Sequence, residues 1–320
     1  MQADSNIQDK DTTVLAHLSD PHLPLPGGIS PAALFNKRLL GLLSWYTKRR
    51  KRYRRETLEG LVRDMKAQAP DWITVTGDLT NLGLESEFRQ ARRWLDQVAA
   101  PEQLMLVPGN HDASVRGAWE SGAMYWEPFW RGDDAAQEIS GTDVTEAFPV
   151  LRRRGQLALI GVSSAAASPA GFATGHVGET QRARLAELLR HTRALGLFRV
   201  LLIHHPLIEG TVSRRKRLLD GPELTELLAA EGVELVIHGH GHVSHRKELE
   251  TRDGPAPVIG VPSASSMHGE LAAYHLYRIT RTSGGWELES TARRIRGDDL
   301  EFETAATASQ SILRTHAGEQ

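Results

Sequence analysis

Three observations make this chain an α/β protein. Short apolar runs recur at 13–18, 72–76, 103–107, 157–162, 198–203 and 234–237, each of strand length. Helical periodicity fills the intervals at 56–67, 85–98 and 179–195, with a shorter pattern at 222–231; this alternation builds a mainly parallel sheet with helices on its faces. Third, polar residues able to do chemistry stand directly behind five of the six runs, and in open α/β sheets ligand sites gather beyond the carboxyl ends of the strands.

The elements follow in order. In the first helix Leu58, Leu61, Val62 and Met65 recur at helical spacing and give one apolar face. After residue 245 the pattern changes: 246–251, 256–261, 273–280 and 286–295 read as strands separated by turns, with no helix between them. These are expected to complete the same core, so a single domain is predicted over 12–300. From residue 301 the chain is polar and rich in small residues, and 301–320 is expected to be a flexible tail. No internal repeat or low-complexity block interrupts the pattern.

Composition narrows the function. With 38 basic residues against 40 acidic ones the net charge is −2, which argues against a protein that coats polyanions, and no strong nucleic-acid signal is present. The absence of cysteine excludes disulfides and thiolate metal sites, leaving histidine, carboxylate, amide and water as metal ligands. The polar stretch 1–11 has no apolar core, and no run of about 18 apolar residues occurs. A cytoplasmic location is the expectation; oligomeric state is not read from the sequence.

The groups behind the strands are Ser19-Asp20-Pro21-His22, Gly77-Asp78, Pro108-Gly109-Asn110-His111-Asp112, His204-His205-Pro206 and His238-Gly239-His240-Gly241-His242. Each alone has a plain explanation: Asp-x-His and Gly-Asp are common turn chemistry, and a histidine beside proline is usually packed or on the surface. Gly-His-Gly-His is more specific, because glycine lets two imidazoles face one point. Five such groups at successive strand ends converge in space although they are far apart in sequence.

The set resembles the calcineurin-like metallophosphoesterase superfamily, whose pattern D-x-H, G-D, G-N-H-(D/E), H and G-H-x-H is matched at every block over residues 15–243. The resemblance implies a four-layered α/β/β/α sandwich with two β-sheets, and a hydrolase of phosphate esters using two divalent ions such as manganese, iron or zinc. It implies that Asp20, His22 and His242 hold one ion, that Asn110, His204 and His240 hold the other, and that Asp78 bridges them. It places His111 near the leaving oxygen, with Asp112 hydrogen-bonded to it and orienting it. The chemistry suits such ligands: two cations about 3.5–4 Å apart share and activate a hydroxide, and an imidazole protonates the leaving group. A non-catalytic scaffold of the same fold is disfavoured because no ligand position is lost.

Substrate choice has fewer clues. The insert 32–55 is leucine-rich and then basic, with nine Lys or Arg and no acid from Pro21 to Arg55. That composition suits peripheral contact with an anionic membrane, or a lid over an anionic substrate with an apolar part. Packing of the leucines on the core, with the charges as a solvated rim, is the plainer reading. Arg214, Arg215 and Arg217 lie shortly after His204 and are candidate substrate-binding residues. Two substrate readings follow: a phosphoester or pyrophosphate in a membrane-associated amphiphile, and a soluble cyclic-nucleotide or glycerophosphodiester. The aromatic cluster Trp119, Tyr125, Trp126, Phe129 and Trp130 is expected to pack beneath the site.

Overall fold

Two six-stranded sheets carry the chain. In a computed structural model that describes residues 11–34, 37–133, 147–297 and 300–313, the strands are β1 (Thr12–Leu18), β2 (Trp72–Val75), β3 (Leu104–Leu106), β4 (Val150–Arg154), β5 (Leu157–Gly161) and β6 (Phe198–Leu202), then β7 (Leu235–His238), β8 (His245–Thr251), β9 (Gly254–Gly260), β10 (Ala273–Thr282), β11 (Gly285–Ile295) and β12 (Phe302–Leu313). One sheet runs β12-β11-β10-β1-β2-β3 and the other β4-β5-β6-β7-β9-β8. β1, β2 and β3 are parallel, as are β5, β6, β7 and β9.

Strand alternation explains the layering. Leu157 and Leu159 of β5, Val200 and Leu202 of β6, and Leu235 and Ile237 of β7 join the core shared with the first sheet. Their neighbours Ala158, Ile160, Leu201 and Val236 turn the other way and meet Leu185, Leu189, Leu224 and Leu228, from the helices Glu179–Ala194 and Gly221–Glu231. The helices Arg55–Ala67 and Glu85–Val98 add Leu58, Leu61, Met65, Phe88 and Leu95 to the first cluster. The result is the α/β/β/α sandwich expected from the sequence.

The tail expectation is corrected. Phe302–Leu313 forms β12, paired antiparallel with β11 from Ile295↔Phe302 to Gly285↔Leu313; 314–320 lie outside the described residues. Backbone hydrogen bonding holds this edge strand, while most of its small side chains are exposed, so hydropathy carries little sign of it. β4 was likewise hidden by its arginines. Arg152 is buried and donates to the carbonyls of Pro101, Leu104, Pro128 and Arg131, an arrangement that alternation cannot foresee.

The insert forms a strap: a helix at Arg38–Ser44, a π-helical turn at Trp45–Arg49 and a last turn at Arg50–Arg52. The leucines do not pack inward. Leu39, Leu40, Leu43 and Tyr46 are 47, 57, 54 and 62% exposed, whereas Trp45 and Tyr53 are buried and serve as anchors. Further ties come from Arg38, which donates to the Leu82 and Gly83 carbonyls, and from Lys37, which reaches the Ser168 carbonyl. No helix among the described residues is long and apolar enough to cross a membrane.

Candidate metal centre and active site

The five loops meet where the parallel strands of both sheets end. The backbone there is unusual: Asp20, His22, Asp78, His240 and His242 all have left-handed φ, between 41° and 63°. Non-glycine residues rarely adopt this region, and such strain concentrates at functional sites. Each turn folds back at once and aims its side chain at the junction between the sheets. The motif glycines permit the close packing this needs. A Cβ on Gly109 would overlap Asp78, and one on Gly239 would overlap Ser19 and Asp20.

Two groups of potential ligands result: Asp20, His22 and His242, and Asp78, His204 and His240, with one donor atom per residue lying within 4.8 Å of the others in its group. Asp78 stands between the groups, with Oδ2 3.5 Å from His204 Nε2 and 4.0 Å from His22 Nε2. Asn110 Oδ1 lies 3.2 Å from His204 Nε2 and so joins the second group.

Hydrogen bonds around the rings select the free nitrogen of each. His22 Nδ1 faces the Thr80 carbonyl at 3.4 Å, and His204 Nδ1 faces the Thr76 carbonyl at 2.6 Å; a proton on each leaves Nε2 as the donor atom. His240 does the reverse: Nε2 lies 2.9 Å from the Lys216 carbonyl, freeing Nδ1. His242 Nδ1 is 3.3 Å from the Tyr53 hydroxyl, and its Nε2 is 2.8 Å from Asp20 Oδ1. Ring nitrogens fixed from outside, with lone pairs turned inward, are what a metal centre needs. These residues fit two divalent cations with oxygen and imidazole donors.

The electrostatics agree. Burial alone would raise Asp20 and Asp78, but the imidazoles of His242 and His204, respectively, outweigh it and hold both carboxyls below the usual range. Burial opposes charge on His204, yet Asp78 overcomes it and lifts the ring to about 9. A cation arriving there displaces that proton.

His111 shares this junction, its ring 5.2 Å from that of His22 and nearly perpendicular to it. Its Nδ1 lies 2.7 Å from the Asn81 carbonyl and its backbone N–H donates to Asp78 Oδ1 at 2.7 Å. The expectation that Asp112 orients this ring is therefore corrected. Asp112 instead accepts from the N–H groups of Asp78, Gly109 and Thr80 and from the Thr80 hydroxyl, locking two ligand-bearing loops together. The ring's anchor is the 81–84 loop, which Glu87 holds by accepting from the N–H groups of Asn81, Leu82 and Leu84.

A cavity of about 810 Å³ opens over this junction. Asp78, Asn110, His111, His240 and His242 face it from below, Lys37, Lys48, Arg49, Arg52 and Lys216 supply cationic wall, and Leu40, Leu82 and Phe172 supply apolar wall. Arg214, Arg215 and Arg217 are exposed and outside this lining; Lys216 enters in their place. The aromatic cluster lies outside the lining as well: Trp119, Trp126, Phe129 and Trp130 are buried and pack with Phe88 and Phe148. Sequence reasoning missed Arg49, Tyr53, Asn81 and Glu87. The first two lie in the basic insert that was noticed, and Asn81 follows Gly77-Asp78 by three residues, but no spacing rule marked any of them.

Residues 13–244 match the family model described as calcineurin-like phosphoesterase. The chain belongs to this family. A curated relative, a "probable cyclic nucleotide phosphodiesterase" of Synechococcus sp., is 26% identical over 182 residues, covering 56% of this chain and 60% of that protein. The chain thus spans about 60% of the length of the curated relative it matches. Among solved structures, a dimetal phosphatase from Danio rerio aligns with a TM-score of 0.56 at 12% identity, over 95% of this chain and 99% of the other. A purple acid phosphatase from yellow lupin (Lupinus luteus) seeds also gives 0.56 at 12% identity, over 93% and 53%. At that identity the likeness is one of fold.

Proposed function

We propose that the protein hydrolyses a phosphoester with two divalent ions, manganese, iron or zinc. In this reading Asp20, His22 and His242 hold one ion, Asn110, His204 and His240 hold the other, and Asp78 bridges them. The observation that carries it is the convergence of free imidazole nitrogens and carboxylate oxygens on two neighbouring points beside His111. Bound there, the ions would activate water for attack near neutral pH and would offset phosphoryl charge.

The remaining work falls to side chains. His111, held at Nδ1 by the Asn81 carbonyl, presents Nε2 to the leaving oxygen and protonates it. Burial and the Arg49 guanidinium hold this ring down to about 4; an anionic phosphoryl group beside it raises its proton affinity, so the acid form gathers with substrate in place. His111→Ala is expected to keep both ions and lose rate, most on alkyl esters and least on esters with an acidic phenol as leaving group. Loss of the ions from this variant would overturn the division of roles.

For substrate, the cavity favours a phosphoester with an apolar part, drawn from an anionic membrane. Leu40 lines the cavity and also belongs to the exposed face with Leu39, Leu43 and Tyr46. That face is flanked by Lys48, Arg50 and Lys51, and no acid lies between Pro21 and Arg55; such a surface suits anionic lipid. Replacing Leu39, Leu43 and Tyr46 by serine is expected to abolish co-sedimentation with phosphatidylserine vesicles while sparing a soluble chromogenic diester. Undiminished sedimentation would refute the membrane reading. The description of the Synechococcus relative favours a second one, a soluble cyclic-nucleotide phosphodiesterase. Turnover of cyclic mononucleotides, unaffected by vesicles, would select it.

A further inference from the structure

One cation from the strap reaches further into the centre than the rest. Arg49 Nη2 lies 3.1 Å from His111 Nε2 and 3.3 Å from both ring nitrogens of His22, with its Cζ 5.3 Å from the centre of the Tyr53 ring. It is only partly exposed, and among the described residues no carboxylate forms an ion pair with it. A guanidinium has five donors in a planar fork suited to carboxylate and phosphate oxygens. Here those donors meet aromatic rings, with both ring nitrogens of His111 in reach (Nη1 lies 3.3 Å from Nδ1); in the reading above, Nε2 is the nitrogen that serves the leaving group.

We propose that Arg49 is a phosphoryl-binding residue, delivered by the strap to grip a non-bridging oxygen of the substrate beside His111. This rests on the phosphoesterase reading above and adds to it a residue outside the metal-binding motifs. A divalent ion held by His22 repels the guanidinium, so the two share this corner best with an anion between them. A phosphoryl group meets that condition: one oxygen accepts from Arg49 while the others face the ions.

The strap is built to hold the residue there. The Tyr53 N–H donates to the Arg49 carbonyl at 3.0 Å, the Met267 N–H to the Arg52 carbonyl at 2.8 Å, and the Arg54 N–H to the Ser265 carbonyl at 3.0 Å. Buried Trp45 and Tyr53 bracket it. The π-helical turn ends on Arg49 itself, and such turns recur at functional sites. With the backbone fixed on both sides, little ordering remains when the anion binds. Arg54 and Arg55, a few residues on, have exposed side chains outside the cavity lining, so they serve as controls for general charge.

The test uses the full chain loaded with manganese, with inorganic phosphate as the probe and metal content measured on the same samples. Arg49→Ala is expected to weaken phosphate binding by about 10- to 100-fold, the range for a lost charge-assisted hydrogen bond, with both ions retained. Arg49→Lys should recover part of the loss, and Arg54→Ala with Arg55→Ala should bind phosphate as the parent does. With a chromogenic diester, Arg49→Ala should raise KM more than it lowers kcat. Parent-like phosphate binding by Arg49→Ala overturns the assignment, as does loss of the ions, which would make Arg49 a structural support. A parent protein that hydrolyses no phosphoester and binds no phosphate would instead sink the underlying reading.

Discussion

Replacing Asp112 by alanine separates a loop-locking role from a ring-orienting one. Its two oxygens accept from three buried N–H groups and one hydroxyl at 2.9–3.0 Å. The Thr80 hydroxyl has an alternative acceptor in the His111 carbonyl at 3.0 Å, so three amides lose their partner. A buried donor left unpaired costs about 1–3 kcal/mol, and water entering the vacated space offsets part of that. Burial, reinforced by the Asp78 charge, pushes the Asp112 carboxyl up to about 7, so near neutrality it is only partly ionised and the lower end applies. We expect a net loss of about 2–3 kcal/mol, or roughly 3–6 °C in Tm for a chain of this size. Thermal unfolding of the metal-free protein at pH 7.5 measures it. Metal affinity should fall as well, because the locked loops carry Asp78 and Asn110. A variant that melts like the parent, keeps its metals and loses only turnover would refute this reasoning and restore Asp112 as the partner of His111.

Further outcomes follow from neighbouring contacts. Tyr53→Phe removes the hydroxyl 3.3 Å from His242 Nδ1; the ion held by Asp20, His22 and His242 should bind about 10- to 100-fold more weakly, in a chelator competition that leaves the second ion unchanged. His275 is buried and held down to about 4 by burial, with a smaller contribution from His245. The unfolded ring, near 6.5, binds protons first, so stability is unaffected above pH 6.5 and falls as pH drops toward 4. The penalty reaches about 2 kcal/mol by pH 5. His275→Gln should therefore lose less stability than the parent between pH 7.5 and pH 5 in urea titrations, and an equal loss would contradict this.

Much of the fold was legible because its signals are local. The parallel strands read as apolar runs, and the helix at 56–67 repeats Leu58, Leu61 and Met65 at helical spacing, all of them buried. The candidate ligand groups stood out because each is compact and follows a strand, and the structure brings them to one junction. β12 was not, since an edge strand of small residues is held by backbone pairing with β11. The hold on His111 was illegible for a different reason. Its partner is the main-chain carbonyl of Asn81, which any residue could offer, and that loop is shaped in turn by Glu87. Arg49 stood within a basic run that composition flagged, yet only the anchoring of Trp45 and Tyr53 singles it out from Arg50 and Lys51.

The central claim is that Asp78 joins two ions at one junction. Metal content and affinity of the manganese-loaded parent and of Asp78→Asn, measured side by side by mass spectrometry and titration calorimetry, test it most directly. The account predicts two ions per chain in the parent, and in the variant a loss of both affinities together with phosphoester hydrolysis. One ion or none in the parent, or two ions of unchanged affinity in Asp78→Asn, would contradict it.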